Sequence, residues 1–369
     1  MHGTLRLPAF LPDATRGSVR CVDVGDLAGA GIQALMVNSF HLASRPGVRR
    51  IQRLGRLHRF MGWQGPIVTD SGGFQVLSLI RNNPAAGEIR PNEVIFRDPN
   101  TAEKIILTPE RAVRAQLQLG SDVVIALDDC TGLQASPEEE RRSVERTVRW
   151  FGRSHDEFER QRRQRGAGAD WPLLVGVAQG GTDPALRESC VRDLLALGAD
   201  AIGFGGWPID EEGRLLTEMF SLVTRLVPPS MPIFALGIGK PEHLAALARL
   251  GRRFIFDCSL PTRDARRYRL YALDPDWEVK IESPAARFCR YVYLLDPPHA
   301  DSAEPVDLTC DCACCQHYSR AFLHNLVKVK DSLAERLATI HNLRFYTRLI
   351  AHLTSVAEAA CTLSCHESN

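Results

Sequence analysis

Eight short runs of apolar and β-branched residues, each stopped by a turn residue, decide what this chain can fold into. They are PAFLPDAT (8–15), QALMVN (33–38), PIVTD (66–70), DVVIALD (122–128), LLVGVAQ (173–179), AIGFGG (201–206), PIFALGIG (232–239) and FIFDC (254–258). Near-continuous hydrophobicity is what a strand needs when both faces are covered, and the helix-like stretches between most neighbours supply the crossovers of a parallel sheet. Eight such units in ~250 residues predict an α/β fold, a (β/α)8 barrel, ahead of a doubly wound open sheet. The barrel is expected to span residues 1–290.

The ends of the runs carry the chemistry. Asp70, Asp128, Gln179, the Gly205–Gly206 pair and Asp257 each close one of them. In a barrel all such ends open on the carboxyl rim, where active sites are built. A single Asp at a strand end is as readily a turn former or a helix cap. Three carboxylates and a glutamine at equivalent places point instead to a site. Between the third strand and its helix, EVIFRDPNTAEKIILTP (93–109) predicts an inserted hairpin turning at DPN. The stretch 138–165 is charged on most faces, with Val, Trp and Phe at helical spacing, and predicts a barrel helix with a solvated outer side.

The chain has eleven cysteines, an odd number, and seven of them are scattered. That is no disulfide framework, and MHGTLRLPAFLPDATRG lacks the basic and apolar regions of a secretory leader, so a cytoplasmic location is expected. The other four fall in CDCACC (310–315). Close-spaced thiolates on one turn wrap a zinc ion, which takes four N or S donors, and Cys310, Cys312 and Cys315 fit that part. Spacing alone leaves the fourth ligand open among His317, His324, His341 and His352, with an ordinary core histidine the alternative at His341. A zinc-binding subdomain with C-terminal helices is therefore expected over 291–369. The formal net charge of +1 excludes a global attraction for nucleic acid and leaves only local patches. Apolar runs fall far short of the roughly 20 residues of a membrane span, so no membrane partner is expected.

Taken together, TDSGGFQV (69–76), LDDC (127–130), VAQGG (177–181), GIGKPE (237–242), FDCSLPTRDAR (256–266), CDCACCQHYSRAFLHNL (310–326) and TIHNLRFY (339–346) resemble the tRNA-guanine transglycosylases, in order, from about residue 8 to about 350. Members exchange guanine in tRNA for a 7-deazaguanine base. The resemblance implies a barrel with a zinc subdomain, Asp257 as nucleophile and Asp70 as general acid/base. It further implies that Asp128, Gln179, Gly205 and Gly206 bind the base, that Cys310, Cys312, Cys315 and His341 hold one structural zinc, and that Arg263 and Arg266 contact RNA. It also implies a homodimer acting on the anticodon loop of tRNA.

These roles make chemical sense. Breaking an N-glycosidic bond builds positive charge on the ribose, which one carboxylate can meet and then bond covalently. The incoming base must lose its ring proton to a second. A carboxylate accepting guanine's donors, with Gln179 on its oxygen, would read the base, and Phe74 and Leu236 are candidate walls for the flat ring. Prequeuosine base (7-aminomethyl-7-deazaguanine) is the expected substrate. Trp207 and the Arg267–Tyr268 pair depart from the family pattern, Trp207 in the loop that would meet the 7-substituent. A queuine-salvaging or DNA-modifying transglycosylase, and a non-catalytic RNA-binding subunit, are the alternatives.

Overall fold

The computed structural model describes residues 2–97, 103–168, 170–251, 253–283 and 286–366, with side chains as far as residue 356. All eight expected runs form strands: β1 (Ala9–Pro12), β2 (Leu35–Val37), β3 (Ile67–Thr69), β4 (Val123–Ile125), β5 (Leu173–Ala178), β6 (Ala201–Phe204), β7 (Ile233–Ala235) and β8 (Phe254–Cys258). They belong to one eight-stranded parallel sheet, the (β/α)8 class that the run pattern predicts. Nearly every strand residue is buried, as double coverage requires.

Two compact units make up the chain. The first comprises residues 1–5, 14–17 and 35–236, with β2 to β7 in sequential parallel pairing. A buried glutamine fixes the relation of two of these strands. Gln116, on the helix Pro109–Leu119, accepts from Thr69 Oγ1 (2.8 Å) and from the Ile125 N–H (3.0 Å), while its Nε2 donates to the Ile125 carbonyl (2.9 Å). Thr69 immediately precedes Asp70 and Ile125 lies three residues before Asp128, so one side chain sets the placement of both carboxylates.

The insertion after β3 is a three-stranded antiparallel sheet, Gly87–Ile89, Val94–Arg97 and Lys104–Leu107. Its last two strands are the expected hairpin, whose DPN turn lies outside the described residues. Gly87 begins the added strand because a Cβ there would sit 2.3 Å from the Ile95 carbonyl oxygen. The charged stretch forms the helix Pro137–Gln164, started by a capping box between Ser136 and Glu139, with Val144, Trp150, Phe151 and Phe158 buried.

The second unit comprises residues 6–13, 18–34 and 237–369. Within it β1 runs parallel to β8, with Leu11 opposite Asp257. After β8 the short helix Leu260–Ala265 leads into an antiparallel pair, Arg269–Leu273 with Cys289–Tyr293. The chain then passes through the cysteine cluster to the long helix Ser332–His366.

Candidate active site and metal centre

Asp70 follows β3 directly. Its carboxylate accepts from Asn38 Nδ2 (2.6 Å), the Ser39 N–H (3.0 Å) and the Gly72 N–H (3.1 Å). Gly72 takes φ +74°, and a Cβ there would lie 2.8 Å from Phe40 Cβ; one on Gly73 would lie 2.5 Å from Leu127 Cδ1. The two glycines of DSGGFQ thus let the turn close tightly behind the carboxylate. Asn38, the residue that stops the QALMVN run, also caps its own helix by accepting from the His41 N–H.

The neighbouring carboxylates Asp128 and Asp129 have opposite fates. Asp129 is buried between Arg81 (2.7 Å) and Arg146, and its carbonyl accepts from Ser143 Oγ (2.5 Å). That anchors the loop to the helix Pro137–Gln164. Asp128 has no such cation; Gln179 Nε2 donates to it at 2.6 Å. Burial therefore pushes the Asp128 carboxyl up to about 7, against the Gln179 hydrogen bond and with the Asp129 charge adding to the rise. The Gln179 amide oxygen, fully buried, has no hydrogen-bond partner among the described residues. A buried polar atom left open beside a carboxylate that lacks a cation is a binding edge awaiting a ligand's complementary groups.

The loop after β6 closes on that edge. A Cβ on Gly205 would stand 2.5 Å from Gln179 Nε2 and 2.7 Å from the Ala178 carbonyl oxygen, so only glycine fits. Gly206 turns at φ +79°, and its N–H faces the buried Cys130 thiol. Next in sequence, the half-exposed Trp207 meets the exposed Phe74 edge-on, their ring centroids 6.4 Å apart. Leu236 is half-buried at the end of β7. A cavity of about 310 Å³ opens beside Gly206 and Trp207; Glu140, Asp183, Asp210 and Glu211 line it, and no lysine, arginine or histidine does.

In the second unit Asp257 occupies the end of β8 and accepts from the Gly237 N–H at 3.1 Å. Desolvation pushes its carboxyl up to about 7, the Gly237 hydrogen bond opposing and the Asp13 charge assisting. Arg263 and Arg266 follow, both exposed; Arg266 Nε donates to the Thr262 carbonyl. Beneath them Asp264 is fully buried and holds Arg269 (2.7 Å) and the Tyr271 hydroxyl.

Cys310, Cys312, Cys315 and His341 converge in the same unit, all buried, with their donor atoms within 4.8 Å of one another. The donors suit a metal. His341 Nε2 lies 2.6 Å from the Tyr271 carbonyl and donates its proton there, which leaves the Nδ1 lone pair facing Cys315 Sγ (3.2 Å) and Cys312 Sγ (3.7 Å). Hydrogen bonds from Cys310, Cys314 and Cys315 drive the Cys312 thiol far down, toward the thiolate a metal takes. Cys314 stays outside the donor set, as expected. Next to His341, Asn342 ties the cluster to the strand after β8, accepting from the Tyr271 N–H (3.2 Å) and donating to the Pro261 (3.0 Å) and Arg269 (3.1 Å) carbonyls. Another histidine–carboxylate group, His2, His58 and Asp122, has its two rings stacked 3.4 Å apart, with His2 Nδ1 2.8 Å and His58 Nε2 3.2 Å from the Asp122 carboxylate.

The family described as Queuine tRNA-ribosyltransferase matches residues 1–357. The chain belongs to that family. Among its relatives, the queuine tRNA-ribosyltransferase of Idiomarina loihiensis is 37% identical over 361 residues, covering 97% of this chain and 88% of the relative. Those of Shewanella halifaxensis (38% over 360 residues) and Aliivibrio fischeri strain MJ11 (36% over 357) cover the same shares. Queuine tRNA-ribosyltransferases are tRNA-guanine transglycosylases, so the chain is of an enzyme family whose substrate is tRNA. No described helix is long and apolar enough to cross a membrane.

Sequence reasoning missed Asn38, which holds Asp70, and Arg187, which is fully buried beneath Gln179 and Gly205 without a carboxylate partner in hydrogen-bonding reach. Asn38 had a signal, a polar residue ending an apolar run; Arg187 sits in an ordinary helical stretch and had none.

The Asp257 carboxyl gives a signed stability prediction. Its folded pKa lies above the ordinary aspartate value of 3.8, so between ~4 and ~7 the native state keeps a proton that the unfolded chain releases. Stability is therefore lost as pH rises through that window. Asp257→Asn removes the loss, and its melting temperature relative to wild type is expected to climb between pH 4 and pH 8. Differential scanning fluorimetry across that range checks it; a difference independent of pH would show that the site does not desolvate this carboxylate.

Proposed function

We propose that the chain exchanges guanine at the wobble position of tRNA for a 7-deazaguanine, through a covalent bond between Asp257 and the ribose. Asp257 Oδ attacks C1′ as the bond to guanine N9 breaks, and the departing base takes a proton from Asp70. The incoming base returns its N9 proton to Asp70 and attacks C1′, releasing the Asp257 carboxylate. The observation that carries this reading is the pair of desolvated carboxyls near 7, Asp128 and Asp257, at the ends of two barrel strands, in a chain of this family. Structural ion pairs lower a carboxyl; among the described residues neither of these forms one, Arg81 acting on Asp128 only from a distance, and acids held that way are the pattern of a working site.

Asp128 accepts the N1–H and 2-amino donors of the base, and the Gly206 N–H, with the second N–H of Gln179 Nε2, donates to its 6-oxygen. Phe74, with Leu236 opposite, contacts the ring. In a 7-deazaguanine the 7-substituent lies on the same edge as that oxygen, so it enters the acidic cavity beside Gly206 and Trp207. Four carboxylates line it, and their one ion pair among the described residues, Asp210 with Arg214 at 2.7 Å, leaves the lining acidic, which favours a protonated aminomethyl substituent, the prequeuosine base. Arg263 and Arg266, exposed just past the nucleophile, are proposed to contact the nucleotides beside the target, which must leave its stack to be reached.

Incubation with an anticodon stem-loop carrying guanosine at the wobble position tests the reaction. Wild type is expected to give a slow-migrating RNA–protein adduct on a denaturing gel and Asp257→Ala none; guanine exchange by the variant at wild-type rate would remove Asp257 as nucleophile.

For the metal centre we propose one structural zinc, held by Cys310, Cys312, Cys315 and His341, where it would clamp the cysteine loop onto the long C-terminal helix. His341→Ala should lower bound zinc from about one equivalent to well below half by atomic absorption. Full retention would put the fourth ligand elsewhere.

A further inference from the structure

Arg187 is a fully buried cation whose described hydrogen bonds all go to backbone carbonyls. Its Nη1 donates to Ala178 O (2.6 Å) and Gly205 O (3.0 Å), its Nη2 to Gly181 O (2.7 Å), and its guanidinium lies 4.2 Å from the centroid of the Phe204 ring. Glu140 acts on this cation only through its charge, with no hydrogen bond between them, and a buried cation without a direct ion pair is unfavourable unless the contacts it makes compensate. Here it holds two loops. Ala178 and Gly181 flank Gln179, and Gly205 sits on the loop after β6.

The decisive relation is covalent. The Gly205 carbonyl that Arg187 grips and the Gly206 N–H belong to one peptide unit. With the carbonyl fixed inward by a cation, the N–H must point the opposite way, and it does, toward the Cys130 sulfur, a weak acceptor that a ligand oxygen can displace. A peptide whose carbonyl accepts from a guanidinium is also polarised, which makes its N–H a stronger donor. Gly205 is held from its other side as well, its own N–H donating to the Ala178 carbonyl at 2.8 Å.

We propose that Arg187 is a positioning residue for base recognition: through the Gly205–Gly206 peptide it aims and strengthens the backbone donor that reads the 6-oxygen of the purine. This rests on the transglycosylase reading above. Arg187 holds the Gly205–Gly206 peptide directly and Gln179 through the carbonyls on either side of it, so its loss should damage recognition of the 6-oxo, N1–H edge more than recognition of the rest of the ring.

The test compares guanine with 2-aminopurine, which lacks the 6-oxygen and the adjoining N1–H but keeps the 2-amino group and the rest of the ring, using incorporation of labelled guanine into an anticodon stem-loop. The KM for guanine and the competitive Ki of 2-aminopurine are measured for wild type, Arg187→Met and Arg187→Lys. In Arg187→Met the preference for guanine over 2-aminopurine is expected to fall at least tenfold. Arg187→Lys, which keeps the charge but cannot span three carbonyls, should fall by a smaller factor, about threefold, and carries the test if the Met variant does not fold. A preference unchanged in either variant, with both bases weakened equally, would show that Arg187 merely supports the fold and overturns the proposal. Wild type that exchanges no guanine would instead overturn the transglycosylase reading, and this proposal with it.

Discussion

Desolvation of carboxylates at the ends of parallel strands is the constraint on which the rest of this protein is organised. Each strand is buried on both faces, so a polar residue at its end emerges from an apolar layer with few partners unless the following loop supplies them. At Asp129 the surrounding structure supplies two arginines, Arg81 from the helix Gly73–Asn82 and Arg146 from the helix Pro137–Gln164, and the carboxylate becomes structural. At Asp128 it supplies only an amide, and raising that carboxyl from 3.8 to about 7 corresponds to a strain on the order of 4 kcal/mol in the ionised form. A ligand that brings two N–H donors to Asp128, as a guanine-like edge does, would relieve that strain.

The surrounding structure restrains these groups. Gln116 couples Thr69 to Ile125 and so fixes where the loops bearing Asp70 and Asp128 begin. Asn38 and the Gly72 N–H orient the Asp70 carboxylate from two sides. In the second unit, His341 and Asn342 grip the backbone of Tyr271, Arg269 and Pro261, so the metal cluster restrains the segment that leaves the strand bearing Asp257. An ion held there would stiffen the chain just past Asp257, the proposed nucleophile.

Strands and their ends were legible in the sequence because a doubly covered strand must be apolar along its length and can be polar only where it stops. The residues that close the runs, Asp70, Asp128, Gln179, Gly205 and Asp257, were found by that rule, and the family resemblance supplied their roles. His341 was not separable from a core histidine by spacing, since the proof is its Nε2 donating to Tyr271, a contact seventy residues away. The third strand of the insertion escaped notice because GEI is too short to show alternation. Arg187 was invisible for a different reason: its partners are backbone carbonyls, which every residue carries and no sequence pattern displays.

The central claim is that the Asp257 carboxylate bonds to ribose. Its most direct test is to trap the adduct from wild type, digest it with nuclease and trypsin, and locate the nucleotide mass by tandem mass spectrometry. The account predicts a ribonucleotide on the peptide from Phe254 to Arg263, fragmenting to Asp257. The same mass on the peptide containing Asp70 would contradict it.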